Sequence, residues 1–263
     1  MPRPLVSIIV PAFEAQATIA RCLQSLEQTA LAPGDLEILV EPDDGGDYSW
    51  LQSDRAVMRV AAPGLVGSGP GPTRNRALRR ALGEWITYVD ADDYVAPGYI
   101  DALVACALRD GAALAQTQIA QGDARLLHFG APGMALAFSD WSRSGISVRV
   151  MLHRSAFPEF RDAPAQDIFH IVEATLQRGR PLVFSDAVYL LTLGVDTVTM
   201  QPGFSQAVAA AYGQYINHLT KAYPPSDLRA EALAFWRAKL ALNQGYLQSG
   251  ADIPYYEFVS RSA

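Results

Sequence analysis

Three carboxylates stand close together directly after an apolar run. Asp90, Asp92 and Asp93 follow Trp-Ile-Thr-Tyr-Val at positions 85–89. Carboxylates at this spacing repel each other, and a hard divalent cation such as Mg²⁺ or Mn²⁺ relieves the repulsion by binding carboxylate oxygens together with phosphate and water. The alternative is a strand-end turn with a helix cap, since Asp favours both. The position of these three residues at the end of a predicted buried strand favours a binding site.

A second acidic cluster follows another apolar run. Residues 43–47 read Asp-Asp-Gly-Gly-Asp, and this pattern taken alone is typical of a glycine turn. In the functional interpretation, one Asp accepts the N–H of a nucleobase while the glycines let the backbone approach the ligand.

The third candidate segment joins a Gly/Pro-rich loop at 67–72 to a predicted helix start. Arg74 and Asn75 stand there, where free backbone N–H groups and a guanidinium would meet a diphosphate. The glycines lack the spacing of a dinucleotide fingerprint, and the lysine of a phosphate-binding loop is absent. The alternative is a solvated basic helix face including Arg76, and we expect that environment for Arg79 and Arg80.

The elements that must position these residues are indicated by apolar periodicity. We expect strands at 6–10, 36–40, 56–61 and 85–89, and helices at 18–28, 73–82 and 97–109. This alternation predicts an α/β fold with a mainly parallel sheet flanked by helices. Such sheets bind ligands outside the carboxyl ends of their strands, where segments 11–14, 41–47 and 90–93 follow.

The rest of the chain gives weaker patterns. Residues 113–152 predict strands and loops, and 147–152 is the clearest extended run. We expect a helix at 167–178 that ends at Gly179, then strands near 182–184 and 187–193. Two helical patterns follow, at 204–222 and 227–248.

Composition restricts the class of protein. The chain has 263 residues, of which half are hydrophobic. It carries 27 acidic and 21 basic side chains, which give a formal net charge of −6. A general nucleic-acid binder needs a basic face, so we exclude that class. Two cysteines cannot build a disulfide framework. A short N-terminal apolar run stopped by Pro11 does not fit a signal peptide, so we expect a soluble, cytoplasmic protein.

Taken together, these segments resemble the family 2 glycosyltransferases. The matching stretches are Val-Ser-Ile-Ile-Val-Pro-Ala-Phe at 6–13, Asp-Asp-Gly at 43–45, Thr-Arg-Asn at 73–75, and Gly-Glu-Trp-Ile-Thr-Tyr-Val-Asp-Ala-Asp-Asp at 83–93. A looser match covers 165–169 and 186–193. The resemblance implies a GT-A fold, Rossmann-like, with a C-terminal helical extension. We expect a glycosyltransferase domain at 1–199, with a nucleotide-binding half at 1–110 and an acceptor-binding half at 111–199, and the extension at 200–263.

The resemblance also implies residue roles on the donor side. Phe13 would lie near the base, and Asp44, or else Asp43, would accept the base N–H. Asp92 and Asp90 would hold Mn²⁺ or Mg²⁺, with Asp90 toward the ribose and Asp93 as a neighbour near the next helix. The implied nucleotide contacts are Pro11, Ala12, Phe13, Glu14, Asp43, Asp44, Arg74, Asp90 and Ala91.

On the acceptor side, the resemblance implies that Asp167 is the catalytic base, although Asp at a helix start is also a common N-cap. One base without a nucleophilic carboxylate implies a single displacement with inversion. The expected substrates are a nucleotide-sugar, with a UDP-sugar favoured, and a glycan or a lipid-linked acceptor. A lipid-linked acceptor would place the protein at the inner face of the cell membrane.

Some positions depart from the family pattern. Gly194 stands where many members carry a His that helps to hold the metal or diphosphate, and His153 and His170 are candidate substitutes that also fit surface or core positions. The absence of a Gln-x-x-Arg-Trp motif argues against a processive synthase. Two alternatives remain: a nucleotide-sugar-binding protein of the same fold without transfer activity, and a sugar nucleotidyltransferase, whose Gly-rich activation loop ending in Lys is missing after the first strand.

Overall fold

The computed structural model describes residues 3–121, 124–144, 146–192, 203–250 and 258. Within these ranges, no helix is both long and apolar enough to cross a bilayer. Strands and helices alternate through the first hundred residues, as predicted. The elements are β1 (Val6–Ala12), α1 (Ile19–Leu26), β2 (Leu36–Pro42), β3 (Val57–Val60), α2 (Pro70–Arg80), β4 (Trp85–Tyr88), β5 (Tyr94–Val95), α3 (Tyr99–Asp110), β6 (Ala112–Gln121), β7 (Ala124–Phe129), α4 (Phe138–Ser144), β8 (Arg149–His153), α5 (Gln166–Arg178), β9 (Phe184–Thr192), α6 (Phe204–Ala222) and α7 (Asp227–Ser249).

The first four strands run parallel to one another in one sheet, in the order β3-β2-β1-β4. Successive side chains of a strand point to opposite faces, so each strand contributes to two cores. Ile8 and Ile38 belong to the buried cluster that contains α1 and α3, whereas Ile9 and Leu39 belong to the cluster that contains Ala77 of α2. Burial on both faces explains why β1, β2 and β4 are mostly apolar, whereas β3, at the edge of the sheet, is partly exposed.

The second half makes the sheet mixed. β8 pairs antiparallel with β4 and β6, β7 pairs antiparallel with β6, and β5 pairs antiparallel with β9, while β6 and β9 run parallel. The two short strands predicted at 182–184 and 187–193 are one strand, β9. Polar Ser185 interrupted the apolar pattern, but its side chain is buried and donates a hydrogen bond to the carbonyl of Leu114.

Helix α4 lies in a region that the sequence pattern predicted as strands and loops. It is seven residues long, and its Phe138 and Trp141 pack on Phe235 of α7, with ring centroids 5.8 and 4.9 Å apart. So short a helix is not stable by itself in water, so contacts distant in sequence stabilise it.

Helices α6 and α7 pack on the same core as the sheet. Tyr212, Tyr215 and Trp236 belong to the buried cluster that includes Ile9 and Tyr88. The proposed boundary at 199/200 lies outside the described residues. The structure therefore places the C-terminal helices against the central body, where burial of their aromatic rings contributes several kcal/mol, about 1.5–3 for each large side chain.

Candidate functional site

Three strand ends meet at one edge of the sheet. β1, β2 and β4 run parallel, with Ala12 beside Pro42 and Ile9 beside Tyr88. The segments after these strands therefore emerge next to each other, as the sequence predicted. Pro11 and Ala12 are the last residues of β1, and both Ala12 and Ala91 are buried.

Asp44 fastens the loop after β1. Its Oδ2 accepts hydrogen bonds from the backbone N–H of Glu14 and the hydroxyl of Tyr48, both at 2.8 Å, and its Oδ1 accepts one from the N–H of Gly46 at 2.8 Å. Glu14 has a φ of 50°, a left-handed conformation that is costly for a side chain other than glycine. Phe13 is left 55% exposed at the tip of the loop. The result is a strained, anchored loop with an open aromatic ring.

Asp43 has a different environment. It is buried, and its oxygens accept hydrogen bonds from the Ser68 hydroxyl, from the N–H of Gly69 at 2.9 Å and from Arg76 at 2.9 Å. Although burial opposes ionisation, these donors hold the pKa of Asp43 below its usual value. Asp43 therefore anchors the loop before α2. Asp44, which is half-buried, retains lone pairs on Oδ1 for a ligand.

Asp90 lies between two buried arginines. Arg74 of α2 pairs with Oδ1, and Arg149 of β8 pairs with Oδ2 at 2.6 Å. Burial by itself would raise the pKa of Asp90, but the two guanidinium groups outweigh it, so the pKa is lowered. The carboxylate is thereby held ionised, and both of its oxygens are occupied. Arg74 keeps Nε and Nη1 buried without a hydrogen-bond partner among the described residues.

The other two acids of the triplet differ from each other. Asp93 is buried, accepts hydrogen bonds from the Tyr189 hydroxyl and from the N–H of Thr192 at 2.7 Å, and has its pKa raised to about 7, first by burial and then by the charges of Asp92 and Asp90. Asp92 is exposed, and apart from its own backbone N–H no described residue donates a hydrogen bond to its carboxylate. Desolvation at the edge of the site, and then the charge of Asp90, raise the pKa of Asp92.

Asp167 is the second residue of α5, not its N-cap. The cap is Ala165, which has a φ of 58° and makes no side-chain cap bond. The Oδ2 atom of Asp167 accepts a hydrogen bond from the hydroxyl of Ser147 and lies 3.8 Å from Nη1 of Arg149. Its side chain is 19% exposed. The structure thus brings Asp167 and Asp90 to opposite sides of one guanidinium, whereas no hydrogen bond between described residues joins Asp44 to Asp90.

The sequence reasoning missed four residues around these acids: Arg149, Ser147, Tyr189 and Lys239. Arg149 had a detectable signal, because a single charge inside the run Val-Arg-Val-Met-Leu at 148–152 must be paired when the strand is buried. Lys239 on α7 is buried, and burial lowers its pKa to about 8 although the charge of Asp167 opposes the shift. No signal in the sequence pointed to Ser147, Tyr189 or Lys239.

The environments of Asn75 and of the basic side chains of α2 agree only in part with those expected from the sequence. Asn75 exchanges two hydrogen bonds of 2.8 Å with the backbone of Phe160, so it fastens α2 to the loop before α5 and does not face a diphosphate. Arg79 is exposed, as predicted. Arg80 is not simply solvated, because it pairs with the buried Glu41.

The described residues contain no group of three His, Cys, Asp or Glu side chains arranged to hold a metal ion. His170 is buried against Phe160, with ring centroids 4.2 Å apart, and burial lowers its pKa to about 3. His153 caps a short turn through Ser155. Neither histidine substitutes for a metal ligand, and Gly194 lies outside the described residues. The exposed carboxylate of Asp92 still fits a cation whose other ligands are phosphate and water.

Comparison with known proteins gives a family match over residues 7–134, to the family described as "Glycosyl transferase family 2". A poly(ribitol-phosphate) beta-glucosyltransferase of Bacillus spizizenii is 32% identical over 95 residues, which cover 34% of this chain and 15% of that relative. The chain therefore matches a small part of that relative's length.

Solved structures share the fold. Staphylococcus aureus TarS 1–349 in complex with UDP-GlcNAc superposes with a TM-score of 0.67 at 17% identity, covering 92% of this chain and 72% of that one. The mannosyltransferase PcManGT from Pyrobaculum calidifontis, in complex with GDP-Man and Mn²⁺, gives a TM-score of 0.59 at 14% identity over 99% of this chain and 80% of that one. These similarities show a GT-A fold.

Proposed function

Because residues 7–134 of this chain belong to glycosyl transferase family 2, we propose that the protein is an inverting, non-processive glycosyltransferase. It would move a sugar from a nucleotide-diphosphate-sugar to a hydroxyl group of a glycan or a lipid-linked saccharide. The observation that carries this proposal is the pairing of Asp90 with Arg74 and Arg149 beside Asp167 at the carboxyl edge of the sheet.

The donor would bind where β1, β2 and β4 end. The exposed ring of Phe13 is available to stack on a nucleobase, and Oδ1 of Asp44 retains a lone pair for a base N–H. Arg74 lies next to Asp90, where a guanidinium would stabilise the charge that develops on the departing diphosphate. UDP is the nucleotide we favour, since the TarS structure of the same fold contains UDP-GlcNAc.

Asp92 is the residue that we assign to a divalent metal. Apart from its own backbone N–H, its carboxylate has no donor among the described residues, whereas both oxygens of Asp90 are paired with arginines. Mg²⁺ and Mn²⁺ are commonly held by one or two carboxylates together with substrate phosphates. Bound there, the cation would supply Lewis-acid stabilisation of the diphosphate leaving group. The Mn²⁺ complex of PcManGT supports this assignment.

Asp167 would act as general base. Among the described residues no donor contacts its Oδ1, so that this oxygen can accept the proton of the acceptor hydroxyl. The acceptor oxygen then forms a bond to the anomeric carbon as the bond from that carbon to the diphosphate oxygen breaks. One displacement without an enzyme-bound intermediate inverts the anomeric configuration.

The acceptor side would be built by residues 111–199 and by the extension at 200–263, with 1–110 holding the nucleotide. A poly(ribitol-phosphate) acceptor in one relative supports a glycan-like acceptor, and a lipid-linked one would bring the protein to the inner face of the membrane.

The first test is nucleotide binding. Titration calorimetry with UDP should give binding that depends on Mn²⁺ or Mg²⁺ and is lost with EDTA, and Asp92→Asn should remove the metal dependence. Asp186→Asn is the matched control, because Asp186 is exposed on β9. Equal binding of UDP with and without metal would refute the role of Asp92.

The second test is transfer. A panel of nucleotide-sugars is assayed for release of the nucleoside diphosphate, and the anomeric configuration of the product is read by NMR. Asp167→Asn should bind UDP like the wild type and lose transfer. Binding of nucleotide-sugars by the wild type without any turnover would favour the nucleotide-sugar-binding alternative, and pyrophosphate-dependent cleavage would favour the nucleotidyltransferase.

A further inference from the structure

The guanidinium of Arg149 is the common donor of the buried acid cluster. Its Nη2 donates to Oδ2 of Asp90 at 2.6 Å and to the Tyr189 hydroxyl at 3.0 Å, and its Nη1 donates to the Ser147 hydroxyl at 2.7 Å. The side chain is 2% exposed, and its guanidinium lies 4.3 Å from the centre of the Tyr189 ring. This group is therefore fixed on several sides.

The chemistry of these groups sets the direction of each hydrogen bond. A guanidinium has donors only, so the oxygen of Ser147 must accept from Arg149. The single hydrogen of Ser147 is then directed to Oδ2 of Asp167, its other neighbour. A hydroxyl polarised in this way by a cation makes a stronger bond to a carboxylate. The Ser147 hydroxyl thus connects Arg149 to Asp167 in one defined orientation.

The two oxygens of Asp167 consequently have different environments. Oδ2 is held by Ser147 and lies 3.8 Å from Arg149, while Oδ1 has no donor among the described residues. An anchored oxygen fixes the rotation of the carboxylate, and this rotation decides where the other oxygen points. A base that is misplaced by about 1 Å can lose roughly a hundredfold in rate.

We propose that Arg149, acting through Ser147, is a positioning residue that orients Asp167 toward the acceptor hydroxyl. It also holds Asp167 in a fixed position relative to Asp90 on the donor side. This inference rests on the proposed function, since it assigns Asp167 the role of base. The planar fork of Arg149 suits this role, because it donates in two directions at once. A lysine at the same place would keep the charge but not the fork.

The experiment uses two variants of Ser147, because removal of Arg149 would leave buried carboxylates unpaired and could unfold the protein. Ser147→Ala removes the hydroxyl that contacts Asp167 but keeps the ion pair between Arg149 and Asp90. Ser147→Thr retains a hydroxyl. Ser144→Ala is the control, since that hydroxyl donates to the carbonyl of Trp141 and makes no hydrogen bond to Asp167. Initial rates are measured with the nucleotide-sugar that the wild type turns over, and UDP affinity is measured by calorimetry.

We expect Ser147→Ala to lower kcat about tenfold while the UDP dissociation constant and the donor KM stay within about twofold of the wild type. Ser147→Thr should recover most of kcat, and Ser144→Ala should match the wild type. Equal kcat values for Ser147→Ala and the wild type, or equal losses in the Ala and Thr variants, would overturn the proposal. Failure of the proposed function looks different, because the wild type itself would then transfer no sugar from any nucleotide-sugar, whether or not it binds UDP.

Discussion

Lys239 allows a prediction about stability that the structure makes quantitative. The chain has two lysines, Lys221 and Lys239. Lys239 is buried on α7, makes no ion pair or hydrogen bond among the described residues, and has its pKa lowered from 10.5 to about 8 by burial, against the opposing charge of Asp167. Its ammonium lies 5.3 Å from the centre of the Phe235 ring, and a cation–π contact of this kind offsets part of the cost.

Proton binding decides whether Lys239 stabilises or destabilises the folded protein. The unfolded chain binds the proton of Lys239 more tightly than the folded protein does. The shift therefore destabilises the folded protein at every pH below the pKa of Lys239 in the unfolded chain. A shift from 10.5 to about 8 corresponds to about 3 kcal/mol at pH 7 and about 1 kcal/mol at pH 10. Replacement by methionine keeps the apolar stem and removes the charge. After the loss of the cation–π contact, we expect Lys239→Met to be about 2 kcal/mol more stable than the wild type at pH 7.

The assay is urea unfolding of the wild type, Lys239→Met and Lys221→Met at pH 7 and at pH 10. Lys221 is exposed at the end of α6, so its variant should remain within about 0.5 kcal/mol of the wild type at both values. The advantage of Lys239→Met should shrink as the pH rises from 7 to 10. A Lys239→Met variant that is less stable than the wild type at pH 7, or an advantage that does not change with pH, would refute the reasoning.

Two further predictions concern the backbone. A Cβ atom at Gly83 would lie 2.4 Å from the backbone nitrogen of Ser7, so Gly83→Ala should lower the free energy of unfolding by about 3 kcal/mol or more. Gly213→Ala on α6, where nothing lies within 4 Å, should raise it by about 1 kcal/mol. Both are measured by urea unfolding, and equal effects of the two changes would contradict the close approach. Ala165 has a φ of 58°, a conformation that costs about 1–2 kcal/mol for a residue with a Cβ atom. The melting temperature should therefore fall in the order Ala165→Gly, wild type, Ala165→Val, and the reverse order would show that this strain is absent.

The first 110 residues were largely predictable from local pattern. Strand–helix alternation in the first 110 residues required only apolar periodicity, and the parallel pairing of β1, β2 and β4 brought residues 11–14, 43–44 and 90 to one edge. The second half was harder. α4 depends on packing between Trp141 and Phe235, and β9 continues through a polar Ser185 whose partner is about seventy residues away.

The sequence by itself determined the fold class and the edge of the sheet where a site is expected, because residue type, spacing and strand-end position are local properties. It placed Asp90, Asp92 and Asp167 as candidates but could not say which would be paired, free or anchored. Only the tertiary structure decided that both oxygens of Asp90 are occupied, that Asp92 receives no hydrogen bond from another described residue, and that Asp167 is held by Ser147 and Arg149. The reason is physical: ion pairing, burial and desolvation depend on which distant strands and helices pack together, and Arg149 meets Asp90 across 59 residues of chain.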